Sequence, residues 1–428
     1  MAVTVQTTPS IYTPAYNPQW FVATSTQTAQ ANFRYRVVLT DVISSATVTK
    51  DIDKDANGYF RFDVSTFSEQ YITQVNPSGL YGWQENTGAV RKIRVNIGEV
   101  YGSTPTYYAG ANSDFIVWNA SLDFLTMQSY NYLNYLYTQG NNIQIITNNK
   151  NPSYVWTASA STPYYSNDET VTASRSSYLY FLASAVGDVE KIRIIGYNTA
   201  GSQMGSSVIR NPSSGSSTYT ARYQFIDLGY DGLANMPAAQ ILSGTSPIPV
   251  STYDYWIVLD ESSWLPSVAA PAAQYIYPLK RYNAVCEPRY DVITTHYLSP
   301  QGSFETQPCV KLSLRSTEVT KSSYSKLPYT LTGYTVGYTY GASVDNTLTS
   351  TLRDKILVNT DWLTELEVVQ LKDAISSPVV YVDMGDTGGY KAMRVTDNSY
   401  QTKKKYNEQL LSVSFTLEYT HVNVRQRG

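Results

Sequence analysis

The sequence predicts a mainly β protein: two Ig-like β-sandwich domains in tandem, followed by a smaller α+β C-terminal domain. Three observations predict it. Short runs of alternating apolar and polar residues recur, separated by turn-forming dipeptides. Tyrosine dominates the aromatic content, 39 residues against 11 phenylalanines, in a chain where only 15% of residues are charged. Only one segment carries a full set of helix start and stop signals.

Residues 1–20 read as an extended N-terminal arm. Pro9, Pro14 and Pro18 break any helix, and Tyr12, Tyr16 and Trp20 offer aromatic anchors to the same domain or to a neighbouring subunit. The first sandwich is expected over 21–113. It opens with Phe33, Tyr35, Val37 and Leu39 on one face of a strand, continues with a strand over Thr47 to Ile52, and then Tyr59 to Val64. Asn57-Gly58 between the last two predicts a hairpin, since a tight turn there requires positive φ. A short helix from Phe67 to Val75 and a strand over Ile93–Ile97 follow.

Residues 114–165 read as a connecting segment, with Leu122, Leu125, Tyr132, Leu133, Leu136 and Tyr137 admitting a helix. The second sandwich is expected over 166–262, where the first pattern returns. Ser177–Leu182 takes the part of the first strand and Val189–Tyr197 that of the second. Tyr223–Leu228 takes the third and Tyr255–Leu259 the fourth. A Pro/Ala linker over 263–285 leads to the α+β domain, 286–428. There Thr364 and Glu367 form a capping box with Leu363 and Val368 as its staple. Val368, Leu371, Ala374 and Ile375 supply the apolar stripe, and Pro378 ends the helix. Strands are expected at Val379–Val382 and Leu411–Leu417.

Composition narrows the function. An apolar fraction of 42% is enough to build real cores. A net charge of −3 removes the electrostatic case for direct nucleic-acid binding. The run Lys403-Lys404-Lys405 reads as a solvated turn or an edge-strand guard. Cys286 and Cys309 read as small buried residues, with a disulfide between them as the alternative. His296 and His421 lie far apart, outside any zinc-ligand spacing. The first nine residues lack the pattern of a secretory signal, and no apolar run reaches a membrane span. The expected place of synthesis is therefore a cytoplasm, without membrane insertion.

Chemistry has few candidates. Asp53-Lys54-Asp55-Ala56-Asn57-Gly58 matches the first six positions of a calcium loop, making Asp53, Asp55 and Asn57 candidate calcium ligands. The twelfth position is Val64 where a bidentate Glu is needed, and a polar turn uses the same residues. Asp386-Thr387-Gly388 matches the tripeptide of an aspartic protease loop, but a two-carboxylate mechanism needs a second such loop and none occurs. With two histidines in 428 residues, the commonest general acid–base is scarce. The expectation is a protein that is not an enzyme, with no catalytic residue and no cofactor beyond the calcium candidate. Exposed Trp and Tyr could instead stack on sugar rings, or fill interfaces.

Several stretches are similar, in their order along the chain, to virion structural proteins of tailed bacteriophages of Bacteroidetes-type hosts. They are Tyr16-Asn17-Pro18, Thr26 to Tyr35, and Phe60-Arg61-Phe62-Asp63-Val64. Near the C-terminus come Asn359 to Glu365, Ser376 to Tyr381, Val395 to Tyr400 and Lys403 to Asn407. The resemblance spans most of the chain and carries structural motifs only. It implies a non-enzymatic tail ring, hub or baseplate protein of the virion. Such a protein would assemble as a homo-oligomer through Tyr-rich faces and the N-terminal arm, beside other tail or connector proteins. The alternatives are a host-glycan adhesin or receptor-binding protein, and a capsid decoration protein.

Overall fold

The computed structural model describes residues 3–123 apart from 75 and 78, then 127–128, 137–139, 143–145, 168–171, 178–184, 191–197, 202–212, 221–243, 254–260 and 277–284. Beyond these it describes 290–326, 329–338, 345–360, 363, 365–384, 389–397, 403–404, 411–421 and 423–425. The protein is mainly β. It divides into two compact units: Met1–Glu287 with Ser299–Glu305, and Pro288–Leu298 with Thr306–Gly428.

In the first unit, a three-stranded antiparallel sheet is built from Val3–Thr7, Trp20–Ser25 and Phe60–Asp63. A larger sheet runs, in order, Tyr12–Pro14, Asn112–Trp118, Val90–Tyr101, Arg34–Asp41 and Thr47–Ile52, with Thr106–Tyr108 also on the long strand. Phe21, Ala23 and Phe60 from the first meet Tyr35, Val37, Leu39, Ile93, Val95, Ile97, Phe115 and Val117 from the second in one core. The period-two pattern of Arg34–Asp41 does this: every second residue is buried. Each such aliphatic side chain contributes about 1.5–3 kcal/mol.

The Asn57-Gly58 turn is not a hairpin. Gly58 has φ +82°, as the dipeptide predicts. The strands on either side nevertheless enter different sheets, because Phe60–Asp63 pairs with Trp20–Ser25 and Thr47–Ile52 with Arg34–Asp41. The turn carries the chain from one layer to the other.

A second pair of sheets follows. One orders Tyr137–Gln139, Ile143–Ile145, Tyr178–Ser184, Ala221–Asp227 and Trp83–Glu85; the other Asp168–Val171, Tyr277–Ala284, Asp254–Asp260, Lys191–Tyr197, Gln203–Arg210 and Ile241–Ser243. The four strands read as a returning pattern exist, but their pairing does not repeat that of the first region. Tyr178–Ser184 pairs with Ala221–Asp227, and Lys191–Tyr197 with Asp254–Asp260. Trp83–Glu85, from the first region, completes the second region's sheet. Two independent Ig-like sandwiches in tandem are therefore not established.

Tyr277–Ala284, expected as the end of a linker, is a strand. Pro278 is accommodated there beside a register shift between Ile257 and Val258. Of the residues read as a connecting helix, Tyr137 begins a strand. Leu125, Tyr132, Leu133 and Leu136 lie outside the described residues.

Tyrosine fills much of this unit's interior. Tyr35, Tyr178, Tyr180 and Tyr223 are buried. Tyr180 packs against Tyr223, Phe225 and Phe304, with ring centroids 5.1–6.5 Å apart. Each buried hydroxyl needs a partner: Tyr35 donates to the Gly58 carbonyl at 2.8 Å, and Tyr223 to that of Gly302. Burial raises the Tyr35 phenol to about 12 and lifts that of Tyr223 as well. Gly302 itself has φ +93°, and a Cβ there would lie 2.0 Å from the Asn119 carbonyl oxygen. Only glycine permits that approach.

In the second unit an eight-stranded sheet runs, in order, residues 306–309 of strand Phe304–Cys309, Ile293–Leu298, Val380–Asp383, Lys391–Val395, Ser414–Tyr419, Asp345–Asn359 and Leu314–Ser325. Asn423–Arg425 also pairs with Asp345–Asn359. Helix Glu365–Ser376 covers one face, setting Val368, Leu371 and Ala374 against Ile356, Val358, Val380, Val382, Phe415 and Leu417. Its stripe and its end before Pro378 follow the sequence pattern; Thr364 lies outside the described residues. No described helix is long and apolar enough to cross a membrane.

Candidate assembly surface

The second unit's sheet ends in a long edge pair of strands, here called the ribbon. Leu314–Ser325 pairs antiparallel with Asp345–Asn359 along its whole length, and all of its twelve residues except Tyr324 are exposed. Beyond it, Tyr329–Thr332 and Thr335–Tyr338 form a second hairpin, closed by Gly333 at φ +61° and an exposed Tyr334. The ribbon holds itself together with short polar links. Thr317 donates to Asp354 at 2.6 Å, Ser325 to Asp345 at 2.5 Å, and Ser322 bonds Thr349. A register shift between Ser322 and Ser323 leaves Leu348 as an extra, exposed residue, a bulge that bends the strand.

At the ribbon's base the sheet is pinned by charge. Lys355, Glu418 and Arg394 stand opposite one another across three strands. Glu418, 3% exposed, receives Arg353 at 2.6 Å and Arg394 at 2.7 Å, with Lys355 at 3.6 Å. Lys355 also meets Glu318 of the neighbouring strand at 2.6 Å. Hydrogen bonding from Arg353, opposed by the cost of burial and reinforced by Arg394, holds the Glu418 carboxyl below the usual range. The Glu318 carboxylate raises the Lys355 ammonium.

The N-terminal aromatics separate. Residues 3–20 are woven into their own unit, Val3–Thr7 against Trp20–Ser25 and Tyr12–Pro14 parallel to Asn112–Trp118. Tyr12 is 8% exposed and belongs to that fold, whereas Tyr16 at 45% and Trp20 at 51% remain on the surface with Ile11. Partial burial, then the nearby Glu69 charge, raise the Tyr16 phenol.

The calcium candidates are tied up as a turn. Asp55 accepts the backbone N–H groups of Asn57 at 2.9 Å and Tyr59 at 2.8 Å, and lies 3.5 Å from Arg61. Asp53 lies 3.2 Å from Arg34. Among the described residues no group of three or more His, Cys, Asp and Glu side chains is placed to hold a metal ion. Asp386, Thr387 and Gly388 lie outside the described residues. His296 is buried, stacked 4.4 Å from Tyr390 and bonded to Thr306 at 3.1 Å. His421 is exposed beside Tyr419. Cys309 is a free, buried thiol pushed up to about 12 by burial; Cys286 is outside the described residues. Lys403–Lys404 forms a short strand with Leu411–Ser412, and Lys405 is not described.

Sequence reasoning missed the ribbon. Its one signal was its threonines with Val319 and Tyr324, residue types that suit strands. Alternation was absent because Leu314–Ser325 buries neither face.

No protein-family model and no curated protein matches the chain. Among solved structures, the chain is similar to the tail of an empty GTA particle computed with helical refinement in C6 symmetry. That match has 14% identity, covers 33% of this chain and 100% of the other, and has a TM-score of 0.19. A superposition that loose does not establish a shared fold.

Proposed function

We propose that this chain is a non-enzymatic structural component of a tailed bacteriophage virion, specifically a tail ring, hub or baseplate protein that assembles with copies of itself. The carrying observation is the ribbon: a strand exposed over nearly all of its twelve residues, with one edge unpaired among the described residues. An open strand edge invites pairing with another chain. The resemblance of the N- and C-terminal stretches to phage virion proteins supplies the setting. Tyr16 and Trp20 are proposed as further contacts between copies. Heterologous contacts that close by rotation produce a ring.

Light scattering coupled to size exclusion, with negative-stain images of the peak, tests this. A closed ring or regular multimer is expected. A chain that stays monomeric at every concentration and binds host surface polysaccharide saturably would replace this reading with the adhesin.

A further inference from the structure

We infer that the ribbon of Leu314–Ser325 and Asp345–Asn359, with its Tyr329–Tyr338 tip, is seated against a second copy of this chain and covered there on both faces. This rests on the self-assembly reading above and adds which segment makes the contact and which side chains carry it.

The first argument is where apolar surface remains. Among the described residues, six of the fifteen exposed large apolar side chains fall within 312–348: Leu312, Leu314, Val319, Tyr334, Val336 and Leu348. Strand alternation divides the paired ones between the faces. Val319 stands opposite Leu352, on the face that carries Ile356 and Val358 into the unit's core. Leu314 stands opposite Leu357 on the other face. Helix Glu365–Ser376 covers the sheet at Ile356 and Val358, but Val319 is 49% exposed. The core-side face therefore continues outward without a cover.

The second argument is area. Twelve residues at strand rise and two strands at sheet spacing give a ribbon about 40 Å long and roughly 10 Å wide, so about 400 Å² per face. Two covered faces approach the roughly 800 Å² that each partner contributes to a standard interface. The tip hairpin adds to it. One such ribbon per copy, received by the next, supplies a complete contact.

The third is preorganisation. The Glu418 cluster and the Thr317–Asp354 and Ser325–Asp345 links order the ribbon before any partner arrives. Less ordering entropy is then lost on association. The Thr- and Ser-rich surface between the apolar pairs provides hydroxyls for the polar part of the contact.

The test uses the full chain with Val319→Lys and Leu314→Lys together, and Trp20→Ala as a separate variant. Amide hydrogen exchange is followed over 314–325 and 345–352. The wild-type multimer is expected to protect these amides beyond the dilute chain, and the double variant to lose the multimer while keeping the wild-type melting curve. Both positions are solvent-exposed, so folding does not depend on them, and the wild-type exchange needs no variant. A double variant that assembles normally, or a multimer whose ribbon amides exchange as in the dilute chain, overturns the inference and leaves self-assembly standing. Loss of the multimer in Trp20→Ala while the double variant still assembles would move the contact to the N-terminal aromatics. A wild-type chain monomeric at every concentration overturns both.

Discussion

Among the described residues, strand Arg34–Asp41 is paired on both edges and covered on one face, whereas Leu314–Ser325 is paired on one edge and covered on neither face. The first alternates buried and open residues; the second is open almost throughout. Both are long and antiparallel and, apart from one bulge, backbone pairing alone does not separate them. The difference lies in the layer above. The covered strand draws its stability from within its own unit. Beyond its base the ribbon is held by polar links, and its half-exposed apolar side chains contribute fully only when something covers them.

The comparison breaks most visibly at a covered position. Tyr35→Ala removes a buried ring and its bond to Gly58 and is expected to cost about 3–5 kcal/mol in urea unfolding. Val319→Ala in the unassembled chain is expected to stay within about 0.5 kcal/mol. Equal losses would mean that the ribbon is covered within the single chain.

Glu418→Gln is expected to cost about 1–3 kcal/mol, because three cations lose the carboxylate that gathers them. Its signature is pH. The folded pKa of Glu418 is depressed, so its stabilisation is fully present above the ordinary Glu range and is lost as pH falls through the folded value. The wild type should therefore lose more stability on acidification than Glu418→Gln. Identical pH profiles would remove the cluster as the ribbon's anchor.

Gly302→Ala should destabilise the first unit by more than about 1 kcal/mol, since the added carbon meets the Asn119 carbonyl at a positive φ. Thermal unfolding of the variant measures it, and an unchanged midpoint would show that the segment has room to shift. The smallest effect is expected on the outer face of the covered strand. Arg36 pairs with Asp51 there through two bonds, 2.6 and 2.7 Å long, in an exposed setting. Arg36→Ala should barely move the midpoint, and salt should shrink what remains.

How much of this could be read in advance depends on the range of the interaction. The buried set Tyr35, Val37 and Leu39 and the helix before Pro378 were legible, since one buried face imposes a period on neighbouring residues, whereas Thr47–Ile52, exposed nearly throughout, was legible from its β-branched residues. The Asp55–Gly58 turn was legible as a turn but not as a change of sheet. Of the proposed surface, Tyr16 and Trp20 were legible as aromatics, although Tyr12 beside them is buried. The ribbon had no period to read.

By itself, then, the sequence determined a mainly β protein, the positions of many strands and turns, and the faces of those strands that end up half buried. These follow from residue spacing within a few positions. Tertiary structure alone decided that Phe60–Asp63 crosses to another sheet and that Trp83–Glu85 pairs with Ala221–Asp227. It alone decided that Gly302 closes on Asn119, and that Leu314–Ser325 stands uncovered. Each of these depends on residues far apart in the chain coming into contact, or on no residue arriving to cover a face, and neither leaves a periodic trace in the local sequence.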